Sequence, residues 1–133
     1  MNNKPTVFVV DDDQAIRSSL KWLIESVAMQ VKTFDSANAF IESYYPGRSG
    51  CLLLDVRMPG MDGLETYRKI TEINPNQAAI IASGYSETER VKEAQRLGAG
   101  NYIRKPYTLK SLGQSIRAEL EKQKDRRDKM HPK

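Results

Sequence analysis

Four short runs in this chain that read as strands end on a polar group with chemical capability. "TVFVV" (6–10) leads into Asp11, Asp12 and Asp13; "CLLL" (51–54) leads into Asp55; "AAIIA" (78–82) leads into Ser83; "NYIR" (101–104) leads into Lys105. Three carboxylates brought to one spot would repel one another and demand a proton or a cation. Oxygen donors without histidine or cysteine suit a hard ion, and magnesium takes one or two carboxylates with waters and a phosphate. A carboxylate is also a competent nucleophile in phosphoryl transfer, giving an aspartyl phosphate. In that reaction positioning and charge neutralisation carry most of the rate, so a lysine and a small hydroxyl beside the acid are what the chemistry asks for. Asp55, Lys105 and Ser83 fit the roles of nucleophile, cation and hydroxyl. Singly, each has a plainer reading: Asp11–Asp13 as a helix start, Asp55 as a solvated strand end, Ser83-Gly84 and Lys105-Pro106 as turns. The chemistry therefore depends on the fold bringing the four run ends together.

The elements between them alternate. "DQAIRSSLKWLIESVA" sets Ile16, Leu20, Leu23, Ile24 and Val27 on one helical stripe. "QVKTF" (30–34) reads as a strand, and "SANAFIESYY" (36–45) as a helix capped by Ser36. "LETYRKITEI" (64–73) is helical through Leu64, Tyr67, Ile70 and Ile73, and "ETERVKEAQRLG" (87–98) through Val91, Ala94 and Leu97, closed by Gly98. Leu109, Leu112, Ile116 and Leu120 line a fifth helix. Five strands alternating with five helices predict an α/β domain, a doubly wound parallel sheet covered on both faces. In such a sheet the ligand site lies outside the carboxyl ends of the strands, where all four polar groups fall.

At 133 residues and 39% apolar content the chain is the size of one domain with one core. The net charge is +4, but residues 121–133 hold six Lys/Arg against three Asp/Glu, so the other 120 residues carry only +1. The expected division is a folded domain over 1–120 and a basic helix extension or linker over 121–133, rather than a nucleic-acid footprint on a folded face. His131 in that tail reads as solvated. Cys51 is the only cysteine, reads as an inert buried thiol, and fits a reducing compartment. The first apolar run is too short for a signal peptide, and nothing approaches membrane-spanning length, so a soluble cytoplasmic protein is expected.

"VVDDD", "LLLDVRMPGMDG", "IIASG" and "YIRKPY", in this order and at these spacings, resemble the receiver domain of two-component response regulators over about Val7 to Leu120. The resemblance implies a flavodoxin-like (βα)5 sandwich with a five-stranded parallel sheet in order 2-1-3-4-5. It implies a phosphoacceptor at Asp55, and magnesium held by Asp12 and Asp55 directly, by Asp11 through water and by the main-chain carbonyl of Arg57. It implies a switch hydroxyl at Ser83, a lysine at Lys105, an aromatic rotamer switch at Tyr102 and a cis peptide before Pro106. Gly84 and Tyr107 stand where alanine and phenylalanine are frequent in the family, and Arg57 and Tyr85 occupy positions that tune the lifetime of the phosphoryl group.

Function follows from the same resemblance. A histidine kinase or phosphotransfer protein would donate to Asp55, and the surface of helix four, strand five and helix five would switch. The chain would be no enzyme beyond assisting its own phosphorylation and dephosphorylation, and a phosphorylation-linked homodimer is open. Docking of the donor is implied at Gln14, Ala15, Arg17, Ser18, Lys21, Trp22, Pro106 and Tyr107. Trp22, nearly opposite the apolar stripe, also has the simpler reading of an aromatic packed on a neighbouring helix. The chain reads as a stand-alone receiver, or one cut from a longer regulator or hybrid kinase. Its first half is similar to receivers preceding helix-turn-helix domains and its second to those of hybrid kinases; an engineered fusion and one divergent receiver both give that mixture. Two other classes fit the residues less well. An aspartyl-phosphate hydrolase needs a second acid two residues after the nucleophile, where Arg57 stands. A flavin carrier needs main-chain donors and hydroxyls after the first strand, where three acids would repel the phosphate.

Overall fold

The computed structural model describes residues 6–44, 50–56, 60, 62–83, 89–99, 102–104 and 109–130, without the side chains of 83, 90, 104, 109 and 123–130. Strands β1 (Thr6–Val10), β2 (Gln30–Phe34), β3 (Gly50–Asp55), β4 (Ala78–Ser83) and β5 (Tyr102–Arg104) alternate with helices α1 (Gln14–Ser26), α2 (Ala37–Ser43), α3 (Gly63–Ile73), α4 (Glu89–Arg96) and α5 (Leu109–Met130). The strands form one sheet in the order β2-β1-β3-β4-β5, and every pairing is parallel. This is the expected doubly wound order.

The period-two alternation of the strands divides the apolar residues between two layers. Phe8, Val10, Leu52, Leu54, Ala79 and Ile81 face one cluster with Phe40 of α2, Leu64, Tyr67 and Ile70 of α3, and Val91 and Ala94 of α4. Val7, Val9, Cys51, Leu53, Ala78, Ile80 and Ala82 face the other, with Leu20 and Ile24 of α1 and Leu112 and Ile116 of α5. All of β3 is buried, which is why it reads as an unbroken apolar run.

Local signals set most boundaries. Asp13 caps α1 by accepting from the Ala15 and Ile16 amides, and Ser36 caps α2 by accepting from Ala39, as its position predicts. Gly98 follows α4 with φ +117°, a conformation that carries no penalty only at glycine. Two expectations need correction. Ile73 and Leu97, assigned to inner helix faces, are 45% and 38% exposed, because each lies at the end of its helix, where the packed face has run past the sheet. The tail after Leu120, expected as a helix extension or a linker, continues as helix through Met130. Its Glu, Lys, Gln and Arg residues are good helix formers uninterrupted by Gly or Pro, so propensity maintains the helix after the apolar period has stopped. Asn101, Tyr45 and the first turn expected for α4 at 87–88 lie outside the described residues, as does His131.

Candidate functional site

Sheet register brings the acids together. Val10 of β1 pairs with Leu54 of β3, so Asp11 and Asp55, each one residue further, emerge side by side at the carboxyl edge of adjacent strands. One carboxylate oxygen each from Asp11, Asp12 and Asp55 lies within 4.8 Å of the others. Asp11 and Asp55 are buried and Asp12 is exposed, so the cluster opens to solvent on one side. Three anionic oxygens in that space, two of them largely withdrawn from water, fit a hard divalent cation.

The loop from β1 to α1 is held by main-chain contacts. The Asp13 amide donates to Asp11 Oδ1 at 3.0 Å, and the Asp11 amide donates to the Phe34 carbonyl of β2 at 3.2 Å. Arg17, one turn into α1, donates from Nη1 to the Asp11 carbonyl at 2.8 Å. On the β3 side, the Val56 amide donates to the Ala82 carbonyl of β4, and the Gly63 amide returns to the Val56 carbonyl at 3.1 Å. The chain thus folds back so tightly that a Cβ on Gly63 would lie 2.4 Å from the Asp55 carbonyl oxygen. Asp62 caps α3 through the Glu65 amide, and the Thr66 hydroxyl donates to the Asp62 carbonyl. The sequence "MDGLE" is therefore a cap followed by a residue that must lack a side chain.

The remaining expected site residues are placed unevenly. Ser83 ends β4 one residue beyond Ala82, the partner of Asp55, and its own strand partner is Arg104, the residue before Lys105. Tyr102 is half-buried against the cluster that contains α3 and α4. Arg57, Gly84, Tyr85, Lys105, Pro106 and Tyr107 lie outside the described residues. On α1, Gln14, Ala15, Ser18 and Lys21 are exposed, and Trp22 is 71% exposed with Ser18, Ser19 and Leu23 beside it in a shallow groove. Arg17, grouped with them from sequence, is instead half-buried against the acidic loop.

Two other polar groupings escaped the sequence reading. Buried Gln77 donates to the Gly50 and Ala78 carbonyls and accepts from the Tyr44 hydroxyl at 2.8 Å, and Asn74 donates to that hydroxyl. The network ties α2, β3 and β4 at the sheet edge opposite the acids; a lone glutamine before an apolar run was its only trace. On the outer surface Arg68 of α3 and Arg96 of α4 both pair with Glu93, and the Arg96 guanidinium holds its carboxyl below the usual range. Cys51 is fully buried, and burial first, then the negative charge of Glu119, pushes its thiol far up. The inert thiol expected from sequence is what the core contains.

The response regulator receiver domain family matches residues 7–117. The transcriptional regulatory protein TdiR of Thauera aromatica is 34% identical over 131 residues, 98% of this chain and 58% of that protein. FixJ of Azorhizobium caulinodans is 37% identical over 114 residues, 86% of this chain and 54% of its own. Among solved structures, the response regulator StyR superposes with a TM-score of 0.88 at 36% identity, covering 96% of this chain and 64% of that one. The FixJ-N structure superposes at 0.79 with 32% identity, covering 91% and 96%. The chain spans about half the length of the curated relatives it matches. Among the described residues no helix is long and apolar enough to cross a membrane. With the strand order, the acidic edge and these likenesses in agreement, the chain belongs to the response regulator receiver domain family.

Proposed function

We propose that the chain is a cytoplasmic phosphorylation switch whose phosphoacceptor is Asp55. The observation that carries the reading is the convergence of Asp11, Asp12 and Asp55 at one sheet edge, within 4.8 Å. Magnesium, held by Asp11, Asp12, Asp55 and the main-chain carbonyl of residue 57, would neutralise charge on the incoming phosphoryl oxygens. An Asp55 carboxylate oxygen forms the new bond to phosphorus as the bond from phosphorus to the donor's histidine nitrogen breaks, and the imidazole leaves with the electron pair. Lys105 supplies a further positive charge, and the Ser83 hydroxyl donates to a phosphoryl oxygen.

Tyr102 then turns inward behind Ser83. That shifts the population of two arrangements of the surface made by α4, β5 and α5. The phosphodonor, a sensor histidine kinase or phosphotransfer protein, docks on the exposed side of α1 through Gln14, Ala15, Ser18, Lys21 and Trp22, with Pro106 and Tyr107 beside it. A homodimer linked to phosphorylation is one outlet for the switched surface; direct binding of nucleic acid is not. Catalysis is confined to the chain's own phosphorylation and dephosphorylation.

The test is incubation with magnesium and acetyl phosphate, read by intact mass. One acid-stable, base-labile phosphoryl group is expected, absent from Asp55→Asn, absent after chelation and much reduced in Lys105→Ala. Persistent labelling of Asp55→Asn would move the acceptor elsewhere.

A further inference from the structure

We propose that Arg17 is a positioning residue for the metal site, holding the turn from Asp11 to Asp12 so that both carboxylates meet Asp55. This rests on reading the acidic cluster as a divalent-cation site. Besides its amide, which donates to the Phe34 carbonyl at 3.2 Å, Asp11 is gripped at two points: its carboxylate accepts from the Asp13 amide at 3.0 Å, and its carbonyl accepts from Arg17 Nη1 at 2.8 Å. Both grips lead back to one rigid body, because the Asp13 side chain caps α1 and the Arg17 amide closes the first helical turn onto the Asp13 carbonyl at 3.0 Å. Asp11, the loop and the start of α1 form a closed ring of hydrogen bonds, which the Arg17 guanidinium closes from the helix. Removal of Arg17 takes the side-chain donor off the Asp11 carbonyl and loosens the peptide that sets the direction in which residues 11 and 12 present their oxygens.

The electrostatics make the proposal testable by sign. A guanidinium this near a cation site repels the cation, so if charge alone mattered its removal would tighten metal binding. A positioning role predicts the opposite. Partners that orient metal ligands typically alter affinity by tenfold or more when lost.

The experiment measures binding of Mn2+, a hard divalent ion that prefers the same oxygen donors, to the full chain by electron paramagnetic resonance of the free ion. Arg17→Met is expected to bind about tenfold more weakly than wild type, with Arg17→Lys in between, since an ammonium keeps one donor but loses the planar fork. Equal or tighter binding by a folded Arg17→Met overturns the proposal. If circular dichroism shows that Arg17→Met does not fold, Arg17→Lys decides: it keeps the charge, so weakened binding supports positioning and unchanged affinity overturns it. Failure of the wild-type chain to bind Mn2+ overturns the metal reading, and this role with it. Wild-type binding with an indifferent Arg17→Met overturns this role alone.

Discussion

At residue 63 the absence of a side chain is what the site requires. A Cβ there would lie 2.4 Å from the Asp55 carbonyl oxygen and 3.0 Å from Val56 Cα, both main-chain atoms that cannot swing aside. Gly63→Ala must therefore displace the strand end that carries Asp55. We expect a loss of about 1–3 kcal/mol by urea denaturation, against at most about 1 kcal/mol gained in helix propensity, together with slower labelling by acetyl phosphate. Cys51 gives a prediction with a definite sign. In the unfolded chain its thiol ionises around pH 9.0, whereas burial and Glu119 keep it protonated in the fold. The folded state then binds the extra proton, so stability is intact below pH 9.0 and falls as pH rises above it, by up to about 1.4 kcal/mol per unit. Denaturation across pH 8 to 10 should show that added alkaline loss in wild type and not in Cys51→Ala. Asp11, Asp12 and Asp55 were legible as candidates because each follows an unbroken apolar run. Gln77 was not, and Arg17 was legible only as a docking residue, because each bonds to main-chain carbonyls whose location depends on how the chain folds.

Helices and strands were legible in proportion to how far their apolar periods ran. β2 falls on the expected residues, and the α2 cap at Ser36 is where a side-chain acceptor was anticipated. For α5 the apolar positions stop at Leu120 and left helix extension and linker both open beyond it, and good helix formers carry the helix on to Met130. At about 1.5 Å per residue the residues after Leu120 extend it by roughly 15 Å. Asp13 belongs to this scale too: its side chain satisfies two amides at the start of α1. Asp13→Ala should cost about 1 kcal/mol, read as a lower urea midpoint with an unchanged slope. Trp22 illustrates what a period does not decide. Its position opposite the apolar stripe allows a partly exposed ring packed on a neighbouring helix or a docking contact, and the structure leaves it 71% exposed beside Ser18, Ser19 and Leu23 of its own helix. Trp22→Ala should slow phosphotransfer from a histidine donor and leave labelling by acetyl phosphate unchanged.

For the molecule as a whole, alternation of strands and helices was enough to specify a parallel sheet sandwiched between helices, and right-handed crossovers restrict its order. The order β2-β1-β3-β4-β5 came from likeness to a known family, because alternation alone allows others; here it sets β1 beside β3 and so Asp11 beside Asp55. The near-neutral body and basic tail agree with a domain whose concentrated chemistry is one acidic edge rather than a charged face. The site follows from the sheet: carboxyl ends of adjacent parallel strands deliver their next residues to one place.

The most direct test asks where the phosphoryl group goes. The chain is labelled with acetyl phosphate and magnesium and then treated with borohydride, which reduces an acyl phosphate to an alcohol, and the digest is sequenced by mass spectrometry. We expect residue 55 alone to be recovered as homoserine, and only after labelling. An unreduced aspartate at 55 in protein that carries a phosphoryl group would contradict the account.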